Sequence, residues 1–352
     1  MVTSAIWTDF NNDSWPDLMV VGEWMPLTVF ENRQGVLHNV TRELGLAETT
    51  GWWNSIVAGD FNRDGYMDYV AGNLGLNTLL QNRTEGPVQI HYGDFNQDGL
   101  IDPVISRIIN GVRKPVHLKD DLLLQMPVLS RRFTSYKEYG SAALTDLLST
   151  EHLNSGQTYS SDTFQTSLVM NMAGERMEVS PLPVEAQFAP VFGMLSGDYD
   201  GDGIPDLLVT GNSYSTEMFT GWYDASKGLY LKGDGAGGFT PVRLTASGFH
   251  VLGDAKSLTE LRGADNKKLI LSARNDDTLL LFESSLFYHN IDLKNQEESV
   301  LITWQNGETE KREFYDGGGY LSQKGRTLSL IGPVEHVLIF DGSGNSRTWV
   351  PE

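Results

Sequence analysis

The sequence predicts an all-β chain: a β-propeller of short blades, interrupted by a helical insertion and followed by a small C-terminal β-domain. Three observations lead there. A nine-residue pattern with side-chain oxygens at positions 1, 3, 5 and 9 occurs four times, at Asp9/Asn11/Asp13/Asp17, Asp60/Asn62/Asp64/Asp68, Asp94/Asn96/Asp98/Asp102 and Asp198/Asp200/Asp202/Asp206. Each copy runs into an apolar stretch that reads as strand: Leu18-Met19-Val20-Val21, Tyr69-Val70-Ala71, Val104-Ile105 and Leu207-Leu208-Val209. The first residues of the copies stand 51, 34 and 104 positions apart. A propeller blade takes roughly 40 to 50 residues, shortened or stretched by its loops.

The loops carry the chemistry. Four carboxylates within nine residues, as from Asp198 to Asp206, repel one another unless a cation sits among them. Position 6 is a turn glycine in three copies (Gly65, Gly99, Gly203), and position 7 (Trp15, Tyr66, Leu100, Ile204) offers a backbone carbonyl. That is the shell of six to eight oxygens that Ca²⁺ takes, with Mg²⁺ fitting a site that keeps more water. An EF-hand begins the same way but needs a bidentate Glu at position 12, where this chain has Val20, Ala71, Ile105 and Val209. Each loop is therefore expected to join two strands and to hold one structural Ca²⁺, four ions in all. Nothing resembles the opening helix pair through which calcium sensors report.

A chain of 352 residues suffices for about two domains or one large repeat architecture. Its 37 glycines and 13 prolines are spread along the chain, which suits short strands and tight turns. The formal charge of −20, from 26 basic and 46 acidic side chains, argues against a nucleic-acid or anionic-membrane partner. Four divalent ions would bring it to −12, so metal accounts for part of the acidity. The absence of cysteine removes disulfides and thiolate metal sites. No apolar run approaches the roughly 18 residues of a membrane span. Calcium points to an extracytoplasmic setting, secreted, periplasmic or at the cell surface, because cytosolic free Ca²⁺ is too scarce to fill weak structural sites. The chain is inside its first loop by Asp9 with no signal sequence before it, and reads as a piece of a longer exported protein.

Along the chain, residues 1–283 are expected to form the blades and 284–352 the C-terminal β-domain. Between about 118 and 153 the pattern turns helical, with Leu129, Phe133 and Tyr136 on one face and Pro127 at a first helical turn. Strands resume at Thr166 to Met170, turn at Ala173-Gly174 and return through Met177 to Val179. A fifth unit reads as eroded: Gly253-Asp254-Ala255-Lys256 begins like a loop without the carboxylate spacing, and Leu269-Ile270-Leu271 supplies the strand after it. The tail carries strands at Val300 to Trp304, Lys311 to Tyr315, Thr327 to Ile331 and Val337 to Phe340, with Asn306-Gly307 as a hairpin turn.

The four loops, together with Gly59-Asp60-Phe61, Gly93-Asp94-Phe95 and the turns Gly72-Asn73 and Gly211-Asn212, resemble the FG-GAP/VCBS repeats of integrin-α-type β-propellers. The tail, with Trp304-Gln305-Asn306-Gly307 and Gly319-Tyr320-Leu321-Ser322-Gln323, resembles the ASPIC/UnbV domain that follows such repeats in cartilage-acidic-protein-like and bacterial surface proteins. The resemblance implies blades of FG-GAP type, export to the cell surface or beyond, and a binding or adhesive role. Two features depart from the family pattern. Ser14 replaces the turn glycine of the first loop, and five blade-like units are visible where seven are common. The missing blades are expected upstream of Met1.

Other motifs weigh less. Gly233, Gly235 and Gly238 match Gly-x-Gly-x-x-Gly, but Phe239-Thr240-Pro241 reads as strand where a dinucleotide fingerprint must open a helix. The seven histidines form no metal or catalytic pair. Sequons at Asn12, Asn39 and Asn82 carry little weight, the first lying inside a loop. Trp52-Trp53-Asn54 and Trp222-Tyr223-Asp224 are the candidate ligand contacts, since aromatic rings beside amides and carboxylates stack on sugars. One ring of each pair is expected in the core, because neighbouring strand residues face opposite ways. The function expected is non-enzymatic: a calcium-stabilised propeller binding an extracellular glycan or protein. A polysaccharide lyase or glycosidase on the same scaffold, and a structural spacer within a larger surface protein, are the alternatives.

Overall fold

Residues 1–80, 85–218, 220–315 and 319–351 are described by the structure, a computed structural model, so the Asn82 sequon lies outside them. Val2–Thr8 (β1), Asp17–Met25 (β2), Thr28–Arg33 (β3) and Val36–Asn39 (β4) form an antiparallel sheet in sequence order. In β2, Asp17, Met19 and Val21 are buried while Leu18 and Val20 are half-buried, the two-residue period of a strand. A short strand, Gly51–Trp52 (β5), pairs with the far end of β2.

The next hairpin, Ser55–Gly59 (β6) and Asp68–Gly72 (β7), begins a second sheet that the chain then leaves. It first builds another sheet from Val88–Tyr92 (β8), Val104–Ile109 (β9) and Val112–Pro115 (β10). Short helices follow at Lys119–Gln125 (α1), Tyr136–Ser141 (α2), Leu144–Leu147 (α3) and Thr150–Ser155 (α4), with a 3₁₀ turn over Pro127–Arg131, and Gln157–Ser161 (β11) then pairs with β8. Only afterwards do Ser167–Met172 (β12) and Arg176–Pro181 (β13) join β7 and complete the second sheet. Val191–Gly197 (β14), Asp206–Gly211 (β15), Leu229–Gly233 (β16) and Phe239–Val242 (β17) form a third sheet in order. After a helical turn at Leu244–Ser247 (α5), Ala255–Arg262 (β18), Lys268–Arg274 (β19) and Leu280–Glu283 (β20) form a fourth. The C-terminal strands are His289–Asp292 (β21), Glu297–Trp304 (β22), Thr309–Glu313 (β23), Thr327–Leu330 (β24), Val334–Asp341 (β25) and Ser346–Trp349 (β26). Of these, β21 pairs with β24, and the others run in the order β23-β22-β25-β26.

The chain is mostly β and antiparallel. The sheets opening with β1, β6, β14 and β18 lie side by side, with β6 against β1 and against β14, and β14 against β18. Apolar side chains fill each junction: Met19, Trp53 and Tyr69 in the first, Val57, Phe61 and Leu207 in the second, Leu195, Leu208 and Leu258 in the third. Each such residue contributes about 1.5–3 kcal/mol by leaving water. Among the described residues, no contact of similar extent joins the β18 sheet back to the β1 sheet. C-terminal residues pack on these sheets. The Tyr320 ring lies 5.2 Å from that of Phe192, Thr259 donates to the Gln323 carbonyl at 2.8 Å, and Lys324 to that of Ser196 at 3.1 Å. A cavity of about 120 Å³ remains, lined by Ile6, Val57, Glu260, Lys268, Arg312 and Lys324 among others.

Three sequence expectations change. The unit holding the third loop is not the third blade in line: its sheet is inserted inside the second, which is why the loop spacing falls to 34 residues there. Tyr136 does not share a face with Leu129 and Phe133; the helix breaks between Arg131 and Tyr136, leaving Tyr136 66% exposed while the other two are buried. The eroded loop is misplaced. Gly253-Asp254 precedes β18, and the connection equivalent to a metal loop is Gly263 to Lys267 between β18 and β19. No described helix is long and apolar enough to cross a membrane.

Candidate metal centres

Each loop joins two neighbouring strands: β1 to β2, β6 to β7, β8 to β9 and β14 to β15. The residue before position 1 pairs across the hairpin with position 9, as Thr8 with Asp17, Gly59 with Asp68 and Gly197 with Asp206. Between these ends the hydrogen bonds repeat. The position-9 carboxylate accepts the N–H of position 2: Phe10 to Asp17 at 3.2 Å, Phe61 to Asp68 at 3.1 Å, Phe95 to Asp102 and Tyr199 to Asp206 at 3.0 Å. The position-1 carboxylate accepts the N–H of position 6, at 3.2 Å in Asp9, 3.1 Å in Asp60, 2.9 Å in Asp94 and 3.0 Å in Asp198. The position-5 carboxylate accepts from position 7, whose N–H is thus pinned in Trp15, Tyr66, Leu100 and Ile204 at 2.8–2.9 Å. In the first three loops the position-3 amides of Asn11, Asn62 and Asn96 donate to Asp13, Asp64 and Asp98.

This winding needs left-handed backbone at position 6, where Gly65, Gly99 and Gly203 have φ of 86°, 87° and 80°. Ser14 holds the same conformation at φ 68°, at a cost of about 1–2 kcal/mol for a residue with a Cβ. The glycine before loop two has a different reason: a Cβ on Gly59 would lie 2.8 Å from the Phe61 ring.

Sequence reasoning missed the partner on the third strand. The second oxygen of Asp17 accepts the Asn32 N–H at 2.7 Å, that of Asp68 the Asn171 N–H at 2.8 Å, and that of Asp206 the Gly233 N–H at 2.9 Å. Position 9 thereby staples three strands. A signal existed, since Asn32 and Asn171 each open an Asn-x-x-Gly turn in which the side chain accepts the glycine N–H, at 2.7 Å from Gly35 and 2.8 Å from Gly174.

Burial makes these carboxylates expensive as anions. Asp9, Asp17, Asp60, Asp68, Asp198 and Asp206 are at most 7% exposed. Burial pushes Asp17 and Asp68 up to about 7 from 3.8, and Asp60 and Asp206 up to about 6. Asp198 is raised for the same reason. A hard divalent cation is the compensation such a group lacks. The donor set fits one: oxygens only, with Asp198, Asp200 and Asp206 presenting ligand atoms within 4.8 Å of one another. The third loop stands apart, with Asp94 exposed although Asp102 is buried.

Two lysines, also unforeseen, reach the loops. Lys232 on β16 bonds Asp200 and Asp202, the second at 2.7 Å. Lys311 on β23 lies 3.3 Å from the Asp9 carboxylate, and its backbone N–H points at Asp60 from 3.5 Å. Beside it Glu313 accepts the Asp9 N–H at 3.1 Å and the Thr8 hydroxyl at 2.7 Å.

The aromatic candidates divide. Trp53 is fully buried and Asn54 is 4% exposed, so neither is available to a ligand: both belong to the core behind β5. Trp52 is half-buried, its ring 4.9 Å from that of Trp24, and pairs across the strands with Glu23. Tyr223 bonds Thr78 at 2.9 Å and packs on the same small cluster as Trp24 and Trp52, at the end of the strands away from the loops. Trp222 is 64% exposed and stacks on Tyr214 at 4.5 Å and 11°.

No curated protein matches the chain. Residues 9–71, which hold the first two loops and the strands that flank the second, match the family model of the FG-GAP-like repeat.

Proposed function

We propose that the chain is a calcium-stabilised, non-enzymatic β-propeller-type module that binds a glycan or protein outside the cell. The observation carrying this is the hydrogen-bond repeat of the loops: acidic loops of one construction, three of them in neighbouring sheets with buried, raised carboxylates. On this reading Ca²⁺ supplies the positive charge at each loop. Asp9, Asn11, Asp13 and Asp17, with their counterparts in the other three loops, hold it, aided by the position-7 carbonyls. The C-terminal strands form an ASPIC/UnbV-like cap, and the protein belongs to the bacterial surface type.

The ligand face lies at the opposite end, where Trp52, Trp24 and Tyr223 share one cluster and Trp222 offers an open ring face. Carboxylates such as Glu23 beside these rings suit sugar hydroxyls. A glycan and protein array probed with the calcium-loaded protein, and repeated with Trp222→Ala, tests this. Specific retention that the variant loses is expected. Retention of nothing leaves the spacer role, and new reducing or unsaturated ends from a polysaccharide panel would replace the reading with an enzyme.

A further inference from the structure

We infer that Lys311 is a tethered counter-ion for the first loop, so that a divalent cation entering that loop and the C-terminal strand β23 compete for Asp9. This rests on the reading of the loops as cation sites. Lys311 and Glu313 lie on one face of β23, two residues apart, and both point at loop one. The ammonium lies 3.3 Å from the Asp9 carboxylate, 3.4 Å from the Asp9 carbonyl, 2.5 Å from the Asn12 side-chain oxygen and 3.2 Å from Glu313. It is largely sequestered: the side chains of Lys311, Asp9 and Glu313 are 13%, 10% and 4% exposed.

The groups facing this ammonium are thus all oxygens, and three of the four belong to or flank the loop. A lysine in this position does part of what a bound cation would do. Loop one is also the copy with Ser14 in place of the turn glycine. Loops two and three differ: among the described residues the ion pairs reaching loop carboxylates are those of Lys311 and Lys232. Lys232, moreover, comes from β16 of the loop's own sheet, whereas Lys311 comes from the C-terminal strands. A second cation on Asp9 meets the ammonium at short range in a poorly solvated place, where like charges repel strongly. Linkage makes the effect mutual: whatever Lys311 takes from the cation's affinity, the cation takes from the seating of β23.

Loop one reports on itself, because its position 7 is Trp15, whereas the other loops carry Tyr66, Leu100 and Ile204 there. Tb³⁺ titrated into the calcium-free full chain, excited on the red edge of the tryptophan band, gives sensitised emission from the ion nearest Trp15. Asp13→Asn removes that emission if the assignment is right. Lys311→Met is expected to tighten the Trp-sensitised Tb³⁺ affinity about tenfold, within the usual range of coupling between sites, and Lys311→Arg to leave it near wild type. Unchanged or weaker Tb³⁺ binding in Lys311→Met overturns the inference.

Hydrogen exchange on the wild-type chain provides a second readout that needs no variant. Saturating Ca²⁺ is expected to speed exchange in Thr309–Glu313, and slower or equal exchange there overturns the competition. Total Tb³⁺ uptake by equilibrium dialysis separates the two readings. Uptake at the other loops without a Lys311 effect sinks only this inference, and no uptake anywhere sinks the cation reading itself.

Discussion

Asn171 donates its backbone N–H to the Asp68 carboxylate at 2.8 Å across 103 residues of chain. That bond ties the strand returning from the inserted sheet to the loop that opened its own sheet. Its counterparts, Asn32 on Asp17 and Gly233 on Asp206, are local. Position 9 is thus a structural joint as well as a ligand candidate, and its two roles have separate signatures.

The structural role predicts the cost of losing the joint. Asp68→Ala removes the acceptor of two buried N–H groups, from Phe61 and Asn171. At about 1–3 kcal/mol for each of the two stranded groups, the calcium-free protein should lose about 2–6 kcal/mol in urea unfolding. Asp94→Ala, at an exposed position, should lose under about 1 kcal/mol in the same calcium-free assay. Equal losses would contradict the burial argument.

The sign of the pH dependence follows from the raised carboxylates. Asp17 and Asp68 titrate near 7 in the folded, cation-free protein, and Asp60 and Asp206 near 6, against 3.8 for an ordinary carboxyl. The folded state then binds more protons than the unfolded state between about pH 4 and 7, so stability falls as pH rises through that window. Protein dialysed free of divalent ions should melt higher at pH 5 than at pH 8. Calcium should flatten or reverse the trend by replacing the proton. A calcium-free Tm that climbs from pH 5 to 8 would contradict the assignment.

Ser14 sits at φ 68° in a position its sister loops give to glycine. Ser14→Gly should raise the free energy of unfolding by about 1 kcal/mol, the relieved strain being partly offset by the freer unfolded chain. Ser14→Val should lower it, since a β-branched residue tolerates this region least.

Two of the three tryptophan candidates, Trp53 and Trp222, should behave oppositely. Trp53, fully buried, should cost about 3–5 kcal/mol as Trp53→Ala. Trp222, 64% exposed, should leave stability within about 1 kcal/mol while reducing retention on the ligand array. Thermal unfolding and array binding of both variants check this together.

Local chemistry was legible in the sequence and long-range pairing was not. The carboxylate spacing located all four loops, and the Asn306-Gly307 turn located the β22 to β23 hairpin, because each is fixed by residues a few positions apart. Sheet membership of β12 is set by its antiparallel pairing with β7, far earlier in the chain, and no local period records it. Gly253-Asp254 looked like a loop start because glycine before an acid also suits a strand entry, where Asp254 accepts the Asn275 N–H at 2.8 Å through its backbone carbonyl. Lys311 was invisible as a loop partner: within Glu310-Lys311-Arg312-Glu313 it reads as ordinary charged alternation, and only the seating of β23 on loop one brings it to Asp9.

The central claim is that the loops hold cations, and anomalous scattering from crystals grown in saturating calcium tests it most directly. The account predicts a peak between the position-1 and position-9 carboxylates of each loop, with that beside Lys311 filling last as calcium is raised. Loops that stay filled by solvent and lysine alone at saturating calcium would contradict it.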